Sequence, residues 1–265
     1  MSGRFTYHEA EFAGRTDWKP ELKLEGKGAI VTGAGSGMGE AIARSLADEG
    51  AEVVTVGRTI AKLEQAKISA GAAGTRFHTH AADVADPDAV RGLYAWARTR
   101  LPQTDILVNN AGINVPERMF ADVKRKEFDY IVRVNLNGVF YLMQAVLPEM
   151  RERGSGVVIT ISSIAAVRSD LIPGPAYNAS KHGARALSLS AHLEEGGNGI
   201  RCCVIHPGGT NTPIMDSRPN PPSAERRAKM LQSEDIAQAV LFVATLHPRA
   251  NVPELVMVPT GQPYS

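Results

Sequence analysis

The chain has very little cysteine, few aromatic residues and almost no net charge, and each shortage closes a class of explanation. Its two cysteines in 265 residues are neighbours, Cys202 and Cys203, within one apolar run. Successive residues of a strand point to opposite faces, so they read as buried free thiols rather than a disulfide or a metal pair. The seven histidines show no H-x-x-x-H or similar pattern, which predicts no required metal. A formal net charge of +1 gives no pull toward nucleic acid or an anionic membrane surface. Apolar runs such as CCVI and ILV fall far short of the roughly 20 residues that span a bilayer. The opening segment MSGRFTYHEAEFAGRTDWKPELK has no apolar centre and carries scattered acids, so it does not read as a secretory signal. A soluble, cytoplasmic protein is expected.

What is present is ordinary in amount and ordered in arrangement. The apolar fraction is 43% and the charged fraction 22%, enough for a substantial core. Residues 1–25 read as an appended polar arm with a few aromatics (Phe5, Tyr7, Phe12, Trp18), and 26–265 as a single domain. From there strand-like runs (GAIVTG, EVVTVG, RFHTHAADV, DILVNNAG, SGVVITISS, IRCCVIHPGG, PELVMVPT) alternate with helical segments. One helix is expected to run unbroken over 126–150, and another to open at Pro87 with Asp86 as its cap. Continuous apolar strands separated by single helices predict an α/β fold, a doubly wound parallel sheet of about seven strands with helices on both faces. Ligands in such sheets bind outside the carboxyl ends of the strands, where the polar motifs of this chain fall.

The first strand runs into TGAGSGMGEA, residues 32–41. The spacing is T-G-x-x-x-G-x-G, with Gly33, Gly37 and Gly39. Glycine permits a tight turn and close backbone approach, and the following helix offers free N–H groups and a positive dipole end to a pyrophosphate. Further on, AYNASKHG (176–183) places Tyr177 and Lys181 one helical turn apart on one face. A phenol has an ordinary pKa near 10, and a neighbouring ammonium favours its ionised form. Ser162 and Ser163 end the fifth strand, and because neighbours there point opposite ways only one of them faces the cleft.

With these motifs the chain resembles the short-chain dehydrogenase/reductase family, which has a Rossmann-type sheet. The resemblance extends over residues 27 to about 247: the glycine turn, Asp83–Val84 after the third strand, NNAG (109–112) after the fourth, Asn135, the serine pair, YNASK, and PGGTNT (207–212) after the sixth. It implies an oxidoreductase interconverting a carbonyl and a secondary alcohol with a nicotinamide dinucleotide. Tyr177 would exchange the proton, and Lys181 would lower the tyrosine pKa and bind the nicotinamide ribose. Ser163, the serine matching the family pattern, would hydrogen-bond the substrate oxygen, and Asn135 would hold a water linking the lysine to solvent. The cofactor would lie along Gly33, Ser36, Gly37, Met38 and Gly39. Asp83 would take the adenine amino group, Val84 would pack on its ring, and Asn110, Ala111 and Gly112 would line the ribose and nicotinamide. Pro207, Gly208, Thr210 and Thr212 would lie by the carboxamide.

An acid after the second strand favours NAD and a base favours NADP. Here Gly57 stands where an acid would sit and Arg58 follows, so NADP is preferred, with NAD as the alternative. His182 lies about 100° round the helix from Lys181 and reads as a bystander. His206 reads as making a local hydrogen bond. Arg168, between Ser163 and Tyr177, is expected near the pocket, where it could bind a carboxylate. ERRAKM (225–230) reads as a charged helix face in the segment where the family builds its substrate lid. The ending ELVMVPTGQPYS resembles the branch containing 3-hydroxy-acid and serine dehydrogenases. Competing readings are an NAD-dependent dehydrogenase of a sugar, cyclic alcohol or 3-hydroxy acid, and a non-catalytic dinucleotide sensor. The sensor should have lost Tyr177 or Lys181. The resemblance also implies a homotetramer or homodimer, to which the N-terminal arm could contribute by covering a neighbouring subunit.

Overall fold

A computed structural model describes residues 22–262. Seven strands form one parallel sheet: β1 (Gly28–Thr32), β2 (Glu52–Gly57), β3 (Phe77–Ala81), β4 (Ile106–Asn109), β5 (Gly156–Ile161), β6 (Ile200–Pro207) and β7 (Glu254–Met257). Their order is β3-β2-β1-β4-β5-β6-β7. The apolar runs become strands buried on both faces, and alternation sends successive residues to opposite layers. Ile30, Leu107, Val158 and Cys202 pack on one side; Val31, Val108, Ile159 and Cys203 pack on the other. The adjacent cysteines therefore point apart, as the strand period requires, and burial pushes both thiols up to about 12.

Helices α1 (Gly37–Asp48), α2 (Ile60–Ser69), α3 (Pro87–Ala97), α4 (Arg125–Val132), α5 (Gly138–Arg153), α6 (Gly174–Glu195), α7 (Ala224–Ala228) and α8 (Ser233–Thr245) connect the strands. Residues of α1 and α8 cover one face of the sheet, while those of α3, α5 and α6 cover the other. Asp86 caps α3 by accepting a bond from the Asp88 amide at 2.9 Å, with Pro87 in the first turn. The chain runs outward from β1 through β2 to β3 and returns on the other side of β1 as β4, so the switch point lies between β1 and β4. Among the described residues no helix is long and apolar enough to cross a membrane.

Two expectations are corrected. The helix expected to be continuous over 126–150 is broken by a π-helical turn, Arg133–Asn137, between α4 and α5. One extra residue per turn carries the Asn135 amide to the loop after β4, where it accepts from the Ile113 N–H at 2.8 Å and donates to its carbonyl at 3.0 Å. The third strand ends at Ala81, because Asp83 folds back to accept from the Ala85 amide at 2.9 Å. Of the arm expected at 1–25, residues 1–21 lie outside the described residues. Leu24 is already core, 4% exposed, with its amide donating to the Glu49 carbonyl at 2.8 Å.

Candidate active site

Three strand ends, those of β1, β5 and β6, build the site on the carboxyl side of the sheet, and the glycine turn is the first of them. Gly33 has φ +67° and Gly37 φ +57°, conformations open to glycine. A Cβ on Gly39 would lie 2.2 Å from the Gly33 carbonyl oxygen and 2.5 Å from the Asn110 amide nitrogen, so α1 can start this close to the turn only as glycine. Ser36, the first residue before α1, makes no side-chain capping bond, which leaves the first-turn N–H groups facing the cleft. Thr32, which the sequence reading did not single out, ties β1 to β4: its hydroxyl accepts from the Asn110 and Ala111 amides, both at 3.0 Å. Asn110 in turn donates to the Thr32 carbonyl at 2.8 Å.

These elements wall a cleft of about 580 Å³ lined by Gly33, Ser36, Gly37, Met38, Arg58, Lys62, Asp83, Val84, Asn110, Ala111, Gly112 and Thr212. The shape and donor set fit a dinucleotide. Glycines leave space that any Cβ would fill, a helix N-terminus faces the groove, and the buried Asn110 Oδ1 and Thr212 Oγ1 have no partner among the described residues. At the far end Arg58 donates to the Tyr130 hydroxyl at 2.6 Å, and that hydroxyl donates to Asp83 at 3.2 Å. The carboxylate keeps acceptor capacity beyond this bond and the Ala85 amide. Lys62, one turn of α2 beyond Arg58, is a second cation on this wall.

The second strand end is that of β5, which meets α6. Ser162 points inward and donates to the Lys181 carbonyl at 3.1 Å; Ser163 points into the cleft and shares a hydrogen bond with Tyr177. The strand alternation thus separates a structural serine from the one beside the phenol. Lys181 is 4% exposed; its Nζ donates to the Ile161 carbonyl at 2.9 Å and stands 5.7 Å from the Tyr177 ring centroid. Asn135 donates to Ser180 at 3.1 Å, and Ser180 donates to the Tyr177 carbonyl at 2.9 Å, so the π turn fixes α6 as well as the β4 loop. Burial pushes the Tyr177 phenol up, while its bond to Ser163 and the positive charges of Arg218 and Arg118 pull it down. Burial alone pushes Lys181 down, to about 8.

The third strand end is that of β6. Gly208 follows it, bonded through its amide to the Met257 carbonyl at 2.7 Å, and Thr210 and Thr212 are buried beyond. These residues, with Pro207, Ser163 and Tyr177, line a second cleft of about 810 Å³. It adjoins the first through Met38, Asn114, Thr212 and Ile214, which line both. Arg226 and Lys229 of the ERRAKM segment cover it, in the position expected of a lid.

Two side-group assignments change. Arg168 does not line either cleft; the arginines that do, on the substrate side, are Arg118, Arg218 and Arg226. Proximity in sequence to Ser163 and Tyr177 did not translate into space, because the residues between them form their own short 3₁₀ turn and loop. His206 does not make a local bond. It is fully buried and bridges the Ser163 carbonyl at 3.2 Å to Glu254 at 2.9 Å, while Arg185 grips the same carboxylate at 2.6 and 3.0 Å. His182 donates to the Asn178 carbonyl at 2.9 Å within its own helix, as befits a bystander.

Comparison with known proteins agrees with this geometry. The family model described as short chain dehydrogenase matches residues 27–222. An uncharacterized oxidoreductase of Staphylococcus aureus (strain USA300) is 34% identical over 239 residues, covering 89% of this chain and 98% of the relative. Glycine betaine reductase of Emericella nidulans is 33% identical over 250 residues, 92% of this chain, but the match spans 19% of that much longer protein. Among solved structures, 3-ketoacyl-(acyl-carrier-protein) reductase from Brucella melitensis complexed with NADH superposes with a TM-score of 0.80 at 30% identity, covering 89% of this chain and 98% of that one. Serine dehydrogenase complexed with NADP+ gives a TM-score of 0.80 at 30% identity over 90% of this chain and 97% of its own. The chain belongs to the short-chain dehydrogenase family and is an oxidoreductase of that kind.

Proposed function

We propose that the protein interconverts a carbonyl and a secondary alcohol with NADP(H), with Tyr177 as the general acid and base. The observation that carries this reading is the cluster Ser163–Tyr177–Lys181 at the junction of two clefts, one shaped for a dinucleotide and one open to a small molecule. The dinucleotide would rest on Gly33, Ser36, Gly37, Met38 and Gly39, with Asp83 and Val84 at the adenine and Asn110, Ala111, Gly112, Pro207, Gly208, Thr210 and Thr212 along its inner half. When bound, it supplies or accepts the hydride. Tyr177 gives its proton to the carbonyl oxygen during reduction and takes it back during alcohol oxidation. Ser163 holds that oxygen through its hydroxyl and stabilises the charge that develops there. Lys181, buried beside the ring, favours the ionised phenol between turnovers.

Arg58 and Lys62 support NADP over NAD, since two cations and no acid face the end of the cleft beyond Asp83. One observation favours NAD as the second reading: the Arg58 guanidinium is already engaged by Tyr130. Fluorescence titration with NADPH and NADH separates the two, and tighter NADH binding overturns the preference. Phe128 and Phe140, on either side of the π turn, are exposed apolar side chains suited to a homo-oligomer, which light scattering would detect. Turnover itself is tested with a carbonyl panel and NADPH, read at 340 nm. Loss of turnover in Tyr177→Phe with cofactor affinity retained is the expected result, and near wild-type turnover in that variant sinks the assignment.

A further inference from the structure

Arg118, in the loop between β4 and α4, is 5% exposed and faces the larger cleft. Among the described residues its guanidinium donates to carbonyl oxygens alone, through Nη2 to Ser217 at 2.7 Å and through Nε to Pro116 at 3.4 Å. Arg218, partly buried, lines the same cleft. Neither arginine, nor Arg226 at the rim, forms an ion pair with a carboxylate among the described residues. Acids close by are already committed: Asp216 pairs with Arg227, and Glu225 with Lys229 at 2.8 Å. Among the described residues Asp170 is the one acid lining the cleft; it attracts Arg218 without forming an ion pair and stands against three arginines. A buried guanidinium without a counter-charge is costly, and a fold retains one where a ligand brings the anion.

The cofactor's phosphates do not fill this role. The glycine turn, Arg58 and Lys62 line the other cleft, and none of Arg118, Arg218 and Arg226 does. The arginines are instead neighbours of the reacting group. Arg118 and Arg218 both act electrostatically on the Tyr177 phenol; each is itself pushed down, first by burial and next by the positive charge of a fellow arginine, with Tyr177, and for Arg218 also Asp170, pulling the other way.

We propose that the substrate is a small carbonyl compound carrying an oxyanion group, carboxylate or phosphate, whose charge is held by Arg118 and Arg218 while its carbonyl oxygen meets Ser163 and Tyr177. This rests on the function proposed above. The reaction is oxo acid plus NADPH plus a proton giving hydroxy acid plus NADP+. Hydride adds to the carbonyl carbon, Tyr177 delivers the proton to the oxygen, and the anionic group is unchanged. A planar guanidinium suits this task because it presents paired donors to two oxygens at once.

The test uses matched pairs that differ in charge: 2-, 3- and 4-oxo acids against their methyl esters, and dihydroxyacetone phosphate against dihydroxyacetone. The charged member of at least one pair should show kcat/KM at least ten-fold above its neutral counterpart, mainly through KM. Arg218→Met should erase that preference. The series in which the preference appears tells carboxylate from phosphate. Arg118 is packed against the positive-φ Gly174 turn, so Arg118→Met risks misfolding, and the more exposed Arg218 carries the test. Turnover of neutral and charged members alike, with no effect of Arg218→Met on their ratio, overturns the anion seat and leaves the oxidoreductase reading intact. Failure of every compound to turn over leaves the family assignment in place and moves the decision to binding. The anion seat is then decided by thermal protection: oxo acids or phosphate raising the melting temperature of the wild type more than that of Arg218→Met supports it, and equal shifts overturn it.

Discussion

The two halves of the cleft are built by opposite means. The dinucleotide half is made of backbone and omission: glycines where a Cβ would collide, unbonded helix amides, and a threonine stitching two strands. The substrate half is made of long side chains, with Arg118 and Arg218, from the segments after β4 and β6, acting on one phenol. A pyrophosphate is the same in every dinucleotide, so a rigid backbone mould serves for it. Substrates differ, and side chains on loops can be exchanged without disturbing a sheet. The contrast can be broken experimentally at several points.

The largest effect is expected at the seam. Tyr177→Phe removes the proton but keeps the ring, so kcat should fall by about 10³-fold, within the range for losing a general acid. Cofactor affinity should stay within about three-fold by fluorescence titration, because the hydroxyl belongs to the chemistry rather than to the mould. A matched loss of both would show that the two halves are not separable.

Next comes the mould itself. In Gly39→Ala the added Cβ would sit 2.2 Å from a backbone oxygen, which cannot swing aside as a flexible side-chain tip can. Either α1 retreats or the turn opens, at a cost of roughly 1–3 kcal/mol. Cofactor affinity should drop by about 10²-fold. Oxo-acid protection of the apo protein, which depends on the other half, should survive.

This division also explains how much could be read from the chain. The sheet was legible because buried parallel strands appear as apolar runs, and the glycine turn and Tyr177/Lys181 because their spacing is local. The π turn at Arg133–Asn137 was not, since one inserted residue leaves the helical pattern of 126–150 intact. Arg118 gave no signal in a loop reading PERMF, because its meaning comes from Tyr177 and Ser217 lying beside it in space. Arg168 shows the converse error, a residue judged by its place between two motifs when the chain carries it elsewhere. His206 bonds to Ser163 and Glu254, neither of them near it in sequence.

Lys181 shows the cost of placing a charge between the halves. Its pKa is lowered to about 8 by burial, against about 10.4 for a free lysine. A base whose folded pKa is depressed binds fewer protons folded than unfolded, so stability rises with pH between those two values. Lys181→Met should therefore be inactive yet more stable at neutral pH, by about 1–2 kcal/mol once the lost bond to Ile161 is counted. Urea melts at several pH values check the sign: the advantage of the variant should narrow as pH rises from about 8 to about 10.4. A variant less stable than wild type at pH 7 refutes this account.

The smallest effect is expected at the outer end of the mould, where it uses exposed charged side chains. Arg58 is held by Tyr130, whose hydroxyl is tied to Asp83, so a guanidinium is positioned by a phenol that also steadies a carboxylate. Both cations there are exposed, and exposed charges are individually weak and screened by salt. Arg58→Ala and Lys62→Ala should each weaken NADPH binding by only about three- to ten-fold, close to 1 kcal/mol, and leave NADH binding unchanged. Raising the salt concentration should shrink both losses. Tyr130→Phe gives the sharper result, because it removes the bond that aims Arg58 and leaves the charge in place. If aiming matters, this variant approaches Arg58→Ala in NADPH affinity, and its Asp83 carboxylate, freed of one donor, is the better able to take a ribose or adenine hydrogen. If charge alone matters, Tyr130→Phe binds NADPH as the wild type does.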